Sequence, residues 1–239
     1  MSRPRRIGLL GGTFDPIHLA HLALATAART ALALDEVRVV PSRVPPHRPQ
    51  PGASVYHRFA MAALAATGDP QLIVDDIEAQ DPDRSYTAVT LRRLHASGLS
   101  ALQIFFIAGA DAFAEIATWR DYPHVLDAAH FVVISRGGRT ASSMRAALPE
   151  LTSRMILVPA TGGAAAADLA QPSVFLIDTP IPTVSSTAIR ARAAEGLSLE
   201  GLVPSPVADY IAKHDLYRRV PLTSGPGGAA RELHEQESV

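Results

Sequence analysis

No cysteine occurs anywhere in the 239 residues. Disulfides, thiolate metal sites and thiol nucleophiles are thereby excluded, although that absence alone fixes no compartment. Lysine is nearly missing too: Lys213 stands alone, so almost every fixed cation is an arginine, the better fork for phosphate and carboxylate. Charge of one sign is nowhere concentrated. The 22 Lys and Arg are spread among 23 acids for a formal net charge of −1, which disfavours nucleic acid as a partner and leaves a small anionic substrate compatible. Long hydrophobic runs are also lacking. Met1 to Arg6 is basic, but the apolar run behind it, Ile7 to Leu10, is too short for a signal-peptide core, and no segment reaches membrane-spanning length. The expected location is the cytoplasm, with no membrane partner.

What is present is 47% hydrophobic residues, enough for one substantial core, or one core with a small C-terminal subdomain. Apolar strand-like runs (7–10, 37–41, 72–77, 104–108, 131–135, 155–158 and 174–177) alternate with Ala/Leu-rich helical stretches near 18–33, 54–67, 86–97, 110–117 and 185–195. Such alternation predicts an α/β fold, a doubly wound parallel sheet covered on both faces, with ligands beyond the carboxyl ends of the strands. Residues 137–150 and 160–172 read as loop or irregular helix. The stretch 222–239 is rich in Gly, Ser and Glu with no apolar period, and is expected to be a disordered tail. No internal repeat is apparent.

Gly11-Gly12-Thr13-Phe14-Asp15-Pro16-Ile17-His18-Leu19-Ala20-His21 follows the first strand and opens the first helix. Glycines let backbone N–H groups approach an anion, the helix N-terminus adds partial positive charge, and His18 and His21, three apart, share a helical face. The segment lacks the Lys-Ser/Thr ending of a P-loop and the third glycine of a dinucleotide fingerprint, so histidine is expected to supply the charge. A Gly-Gly turn is common on its own, and two histidines at this spacing could equally be solvated or bind a metal. A metal would need a third ligand, for which Asp15 is the local candidate; its place before Pro16 suits it better to shaping the turn.

A second segment answers the first. Val184-Ser185-Ser186-Thr187-Ala188-Ile189-Arg190 follows the last strand and a turn with Pro180 and Pro182. Ser185 or Ser186 can cap the helix, leaving the remaining hydroxyls, free N–H groups and Arg190 to face an anion. Alone, this reads equally well as an ordinary capped helix with an exposed arginine. The Gly11, Gly109 and Ser185 segments are expected to converge at one end of the sheet.

Together, Gly-Thr-Phe-Asp-Pro-x-His-x-x-His and Ser-Ser-Thr-x-x-Arg resemble the nucleotidylyltransferase superfamily, and within it the bacterial nicotinate mononucleotide adenylyltransferases, over roughly residues 5–218. Pro41-Ser42-Arg43-Val44-Pro45-Pro46-His47-Arg48, Ser85-Tyr86-Thr87 with Thr90-Leu91, and Gly109-Ala110-Asp111 followed by Trp119 point to that subfamily. The resemblance implies a Rossmann-like core (5–184) and a small helical subdomain (185–218) completing an ATP site. It also implies transfer of an adenylyl group from ATP, with Mg²⁺, to nicotinate mononucleotide, in NAD biosynthesis. Nicotinamide mononucleotide or another phosphorylated acceptor is the alternative, and a nucleotide-binding protein without turnover a more distant one. A homo-oligomer is compatible.

By the same resemblance, His18 and His21 would contact the ATP phosphates, with Gly12, Thr13 and Phe14 lining the loop beside them. Ser185, Ser186, Thr187 and Arg190 would hold the β- and γ-phosphates, and Gly109 and Asp111 would touch the adenosine ribose. Thr87 and Trp119 would bracket the nicotinate ring; the alternative for Trp119 is a core or surface anchor. His47, Arg48 and Arg136 would add contacts to the mononucleotide, the alternative being solvated loop residues. No residue is assigned to metal. Three positions depart from the family pattern: Ala20 replaces a glycine, Arg48 a frequent lysine, and Arg120 an aromatic.

Overall fold

The computed structural model describes residues 3–45, 50–80, 84–162 and 169–218. Its elements run β1 (Ile7–Gly12), α1 (Leu19–Leu32), β2 (Glu36–Pro41), α2 (Val55–Ala66), β3 (Leu72–Val74), α3 (Thr87–Ala96), β4 (Ile104–Gly109), α4 (Ala110–Phe113), β5 (His130–Ile134), α5 (Met144–Ala147), β6 (Met155–Leu157), β7 (Val174–Ile177), α6 (Ser186–Ala194) and α7 (Ser205–Lys213). All seven expected strands form. They make one parallel sheet in the order β3-β2-β1-β4-β5-β7-β6.

Central strands buried on both faces need apolar residues at consecutive positions, which is why β1, β4, β5 and β7 read as unbroken apolar runs. Neighbouring residues nevertheless face opposite layers. Leu10, Val39, Phe105, Val132 and Ile177 join one apolar cluster with α1, Met61 and Ala62 of α2, Ile189 of α6 and Ile211 of α7. Leu9, Val40, Phe106, Val133 and Leu176 join a second with Leu91 and Leu94 of α3 and Phe113. Helices thus cover both faces of the sheet.

Helix ends follow local chemistry. Ser54 accepts from His57 N at the start of α2, and α1 stops at Ala33, whose φ of 48° turns the chain back so that its N–H meets Arg29 O. The third strand is shorter than expected and ends at Val74, because the Asp75 carboxylate accepts the Ile77 N–H at 3.0 Å and bends the chain into a turn. The helix expected over 110–117 splits into α4 and a 3₁₀ turn, Ile116–Thr118. Within 137–150, the chain forms the single-turn α5, followed by a 3₁₀ segment, Pro149–Arg154. The 222–239 stretch lies outside the described residues.

The connection from β1 leads outward through β2 to β3, and the chain then returns to place β4 on the other side of β1. The strand order therefore reverses between β1 and β4, which opens a crevice at their carboxyl ends. Among the described residues no helix is long and apolar enough to cross a membrane.

Candidate nucleotide-binding site

The crevice is flanked by the loop after β1 and by the segment that leaves β4. Phe14 has a φ of 50°, and its ring folds back over Gly12, so that a Cβ on Gly12 would stand 2.9 Å from ring carbons. Only glycine fits there. The same ring meets the His21 ring edge-on at 4.9 Å, and His21 stacks on His18 with centroids 3.7 Å apart. His18 is the N-cap residue of α1, and its backbone N–H donates to His21 Nδ1 at 3.3 Å.

His18 is 1% exposed and its Nδ1 has no hydrogen-bond partner among the described residues. Burial, with the Arg136 guanidinium nearby, lowers its pKa to about 4, so the ring is neutral at pH 7. The expectation that histidine supplies the charge fails at this position. Nearby positive charge comes instead from arginines, and a buried neutral imidazole remains with an unused polar atom.

The two distant motifs meet directly. Ser186 Oγ donates to Pro16 O at 3.0 Å, and Arg190 Nη1 donates to Asp15 O at 2.8 Å while lying 3.7 Å from Asp15 Oδ2. Ser185 caps α6 by accepting from Ala188 N, and Thr187 Oγ1 accepts from Arg190 Nη2 at 3.4 Å. Ser185 rather than Ser186 is therefore the cap. Ser186 spends its hydroxyl on the first loop, so the helix that opens at residue 186 is fastened beside the one that opens at residue 19.

On the β4 side, Gly109 is tightly enclosed: a Cβ there would collide with Asp111 Oδ1 and lie 2.7 Å from Arg136 Cδ. Arg136 Nε and Asp111 Oδ2 are 3.9 Å apart. Trp119 is half-buried, packed edge-on against Phe106 at 5.7 Å, with Phe131 at 6.3 Å. Both the core-anchor reading and a partly available indole face are therefore consistent with its place. Arg120 lies over the Tyr86 ring at 4.8 Å, which brings the segment before Thr87 against the segment of Trp119. Thr87 itself is half-buried at the first turn of α3. His47 and Arg48 fall outside the described residues. An open cavity of about 670 Å³ is lined by Arg43, Arg58 and Arg84 with Pro45 and Pro51.

The sequence model of the cytidylyltransferase-like family matches residues 9–192. The "Probable nicotinate-nucleotide adenylyltransferase" of Pseudomonas syringae pv. tomato is 39% identical over 93% of this chain and 97% of its own length. The protein of the same name from Roseiflexus sp. (strain RS-1) is 40% identical over 89% and 98%. The chain belongs to the nicotinate-nucleotide adenylyltransferase family. A fold match extends further: Plasmodium falciparum nicotinic acid mononucleotide adenylyltransferase, solved in complex with NaAD, superposes with a TM-score of 0.68 at 19% identity, covering 90% of this chain and 98% of that one.

In this nicotinate-nucleotide adenylyltransferase family member, three residues that hold the site together were not singled out for that role by sequence pattern. Arg58, 1% exposed, donates to Thr13 O at 2.7 Å, Ser42 O at 2.6 Å, Ala53 O at 3.1 Å and Arg43 O at 3.3 Å. An arginine inside an amphipathic helix carries no sequence signal for such a role. Asp15 is a turn residue as expected, but its carboxylate also accepts from Gly52 N at 2.8 Å and Ala53 N at 3.1 Å. Tyr217, 202 residues further on, donates to Asp15 Oδ1 at 2.8 Å. No group of three or more His, Cys, Asp or Glu suited to a metal ion occurs among the described residues, and the Asp15 carboxylate is already engaged.

Proposed function

We propose that this chain transfers the adenylyl group of ATP to the 5′-phosphate of nicotinate mononucleotide, releasing pyrophosphate and forming nicotinate adenine dinucleotide, a step of NAD biosynthesis. The observation that carries the reading is the fastening of α6 to the β1–α1 loop through Ser186 and Arg190 at the mouth of the sheet crevice. Two helix N-termini side by side, with an arginine between them, form a cradle for a polyphosphate.

The chemistry asks little covalent work of the protein. A phosphate monoester with a second pKa of about 6 is already largely dianionic at neutral pH, so it needs no strong base to become a nucleophile. Rate comes from holding two repelling anions in line and stabilising charge on the transferred group and the departing pyrophosphate. His21 serves the α-phosphate under attack. His18, held neutral, offers a hydrogen bond from a ring otherwise short of a partner. Gly12, Thr13 and Phe14 shape the loop, while Arg190, Thr187 and the first-turn N–H groups of α6 hold the β- and γ-phosphates.

Gly109 and Asp111 receive the adenosine ribose. Thr87 and Trp119 take the nicotinate ring, and Arg136, with His47 and Arg48, serves the anionic mononucleotide. Mg²⁺ would arrive on the triphosphate with its waters, since the Asp15 carboxylate is engaged and Asp111 lies beside Arg136 with no second carboxylate described next to it. Purified protein supplied with ATP and Mg²⁺ is expected to release pyrophosphate faster with nicotinate mononucleotide than with nicotinamide mononucleotide at equal concentration. A preference for the amide would reverse the acceptor assignment, and no release with either would remove the activity.

A further inference from the structure

The Asp15 carboxylate is 4% exposed and gathers three parts of the chain that are remote in sequence. Its oxygens accept from Gly52 and Ala53 N–H at the far end of the segment following β2, and from Tyr217 Oη beyond α7. Arg190 reaches the same residue from α6, bonding its carbonyl and approaching its carboxylate. Tyr217 is an unusual choice for a terminal latch. Its φ of 68° is a left-handed conformation that non-glycine residues rarely adopt. Its ring also rests on Gly52, where a Cβ would lie 3.4 Å from two ring carbons. Burial and then the adjacent Asp15 carboxylate push the phenol pKa far up, so the hydroxyl stays a donor at every working pH.

We infer that Tyr217 is a positioning residue for adenylyl transfer, acting through Asp15 to hold Arg190 in register with the triphosphate. Without the hydroxyl, Asp15 Oδ1 keeps only the Ala53 N–H, so the carboxylate is held less firmly beside Arg190 Nη1, which bonds the Asp15 carbonyl and lies 3.7 Å from Oδ2. With its backbone in this conformation, Tyr217 rests its ring on Gly52 and sets its hydroxyl on Asp15 Oδ1 together. This inference rests on Arg190 contacting the ATP phosphates, as proposed above.

Tyr217→Phe tests it, because the ring on Gly52 is retained and only the hydroxyl is lost. In the full-length protein at 25 °C, kcat/KM for ATP is expected to fall about tenfold, while KM for nicotinate mononucleotide stays within twofold. The loss should vanish in an Arg190→Ala background, where no guanidinium remains to be misplaced; a purely structural role would instead lower the melting temperature and multiply with the Arg190 loss. Wild-type kcat/KM in Tyr217→Phe, or independent losses in the double variant, would overturn the inference. Should Tyr217→Phe melt too low for assay at 25 °C, the same cycle is run at 10 °C, where independent losses again overturn the inference. Should wild type turn over neither mononucleotide, the acceptor reading fails by itself. The cycle is then read calorimetrically, as an ATP affinity weakened about threefold by Tyr217→Phe only where Arg190 is present; equal affinities would sink the inference.

Discussion

At the scale of single residues, the site separates charge from hydrogen bonding. Arginine provides permanent positive charge, while the His18 ring is kept neutral by burial and by Arg136. A neutral imidazole can donate from one nitrogen and accept at the other, so it meets a polar group by hydrogen-bond geometry rather than by charge. His21, stacked on it and edged by Phe14, is held in one orientation before substrate arrives. Preorganised donors are worth most where charge develops in the transition state. His21→Ala is therefore expected to lower kcat by about 10²-fold or more, with ATP affinity far less affected; steady-state kinetics beside calorimetric ATP titration checks this, and an unchanged kcat removes the role.

At the scale of elements, α6 shows how one short helix is made to serve two ends. Ser185 satisfies Ala188 N–H and so starts the helix, while Ser186 and Arg190, at its first position and one turn up, bind backbone carbonyls of another element. Ile189 points the opposite way and is fully buried in the cluster shared with α1 and α7. Cap, anchor and core contact thus come from Ser185 and the nine-residue helix that follows it. Replacing Ser185 with alanine removes the cap alone, and is expected to cost about 1 kcal/mol of stability in urea titration. A loss of activity much larger than that loss of stability would mean that the hydroxyl also meets substrate.

At the scale of the whole molecule, the two ends of the parallel sheet titrate in the same direction. His130 begins β5, at the end opposite the crevice, with its ring stacked on Phe105 at 4.7 Å and Nδ1 accepting from Ser173 N. Burial, and secondarily Arg6, lowers its pKa to about 4, as burial and Arg136 do for His18. In the unfolded chain both would titrate near 6.5. Between these values the unfolded state binds more protons, so stability is complete above pH 6.5 and is lost progressively as pH falls toward 4, by roughly 3 kcal/mol per histidine. Denaturant titrations over that range should show the decline. His130→Phe should flatten it by about half even if the variant is less stable at pH 7, because its unfolded chain no longer takes up that proton.

The sequence by itself determined the strands, the main helices and the two loop-to-helix motifs, because each depends on local grammar: unbroken apolar runs for doubly buried strands, a glycine turn before a helix, a serine at a helix start. It reached the family for the same reason, since the motifs are short and contiguous. Only tertiary structure decided which serine caps and which one anchors, because Ser185 and Ser186 differ only in where Pro16 O happens to lie. It alone decided the neutrality of His18, a matter of burial and of Arg136 arriving from β5's end. It likewise recruited Arg58 and Tyr217, whose partners lie up to 202 residues away and leave no periodic trace in their own neighbourhoods.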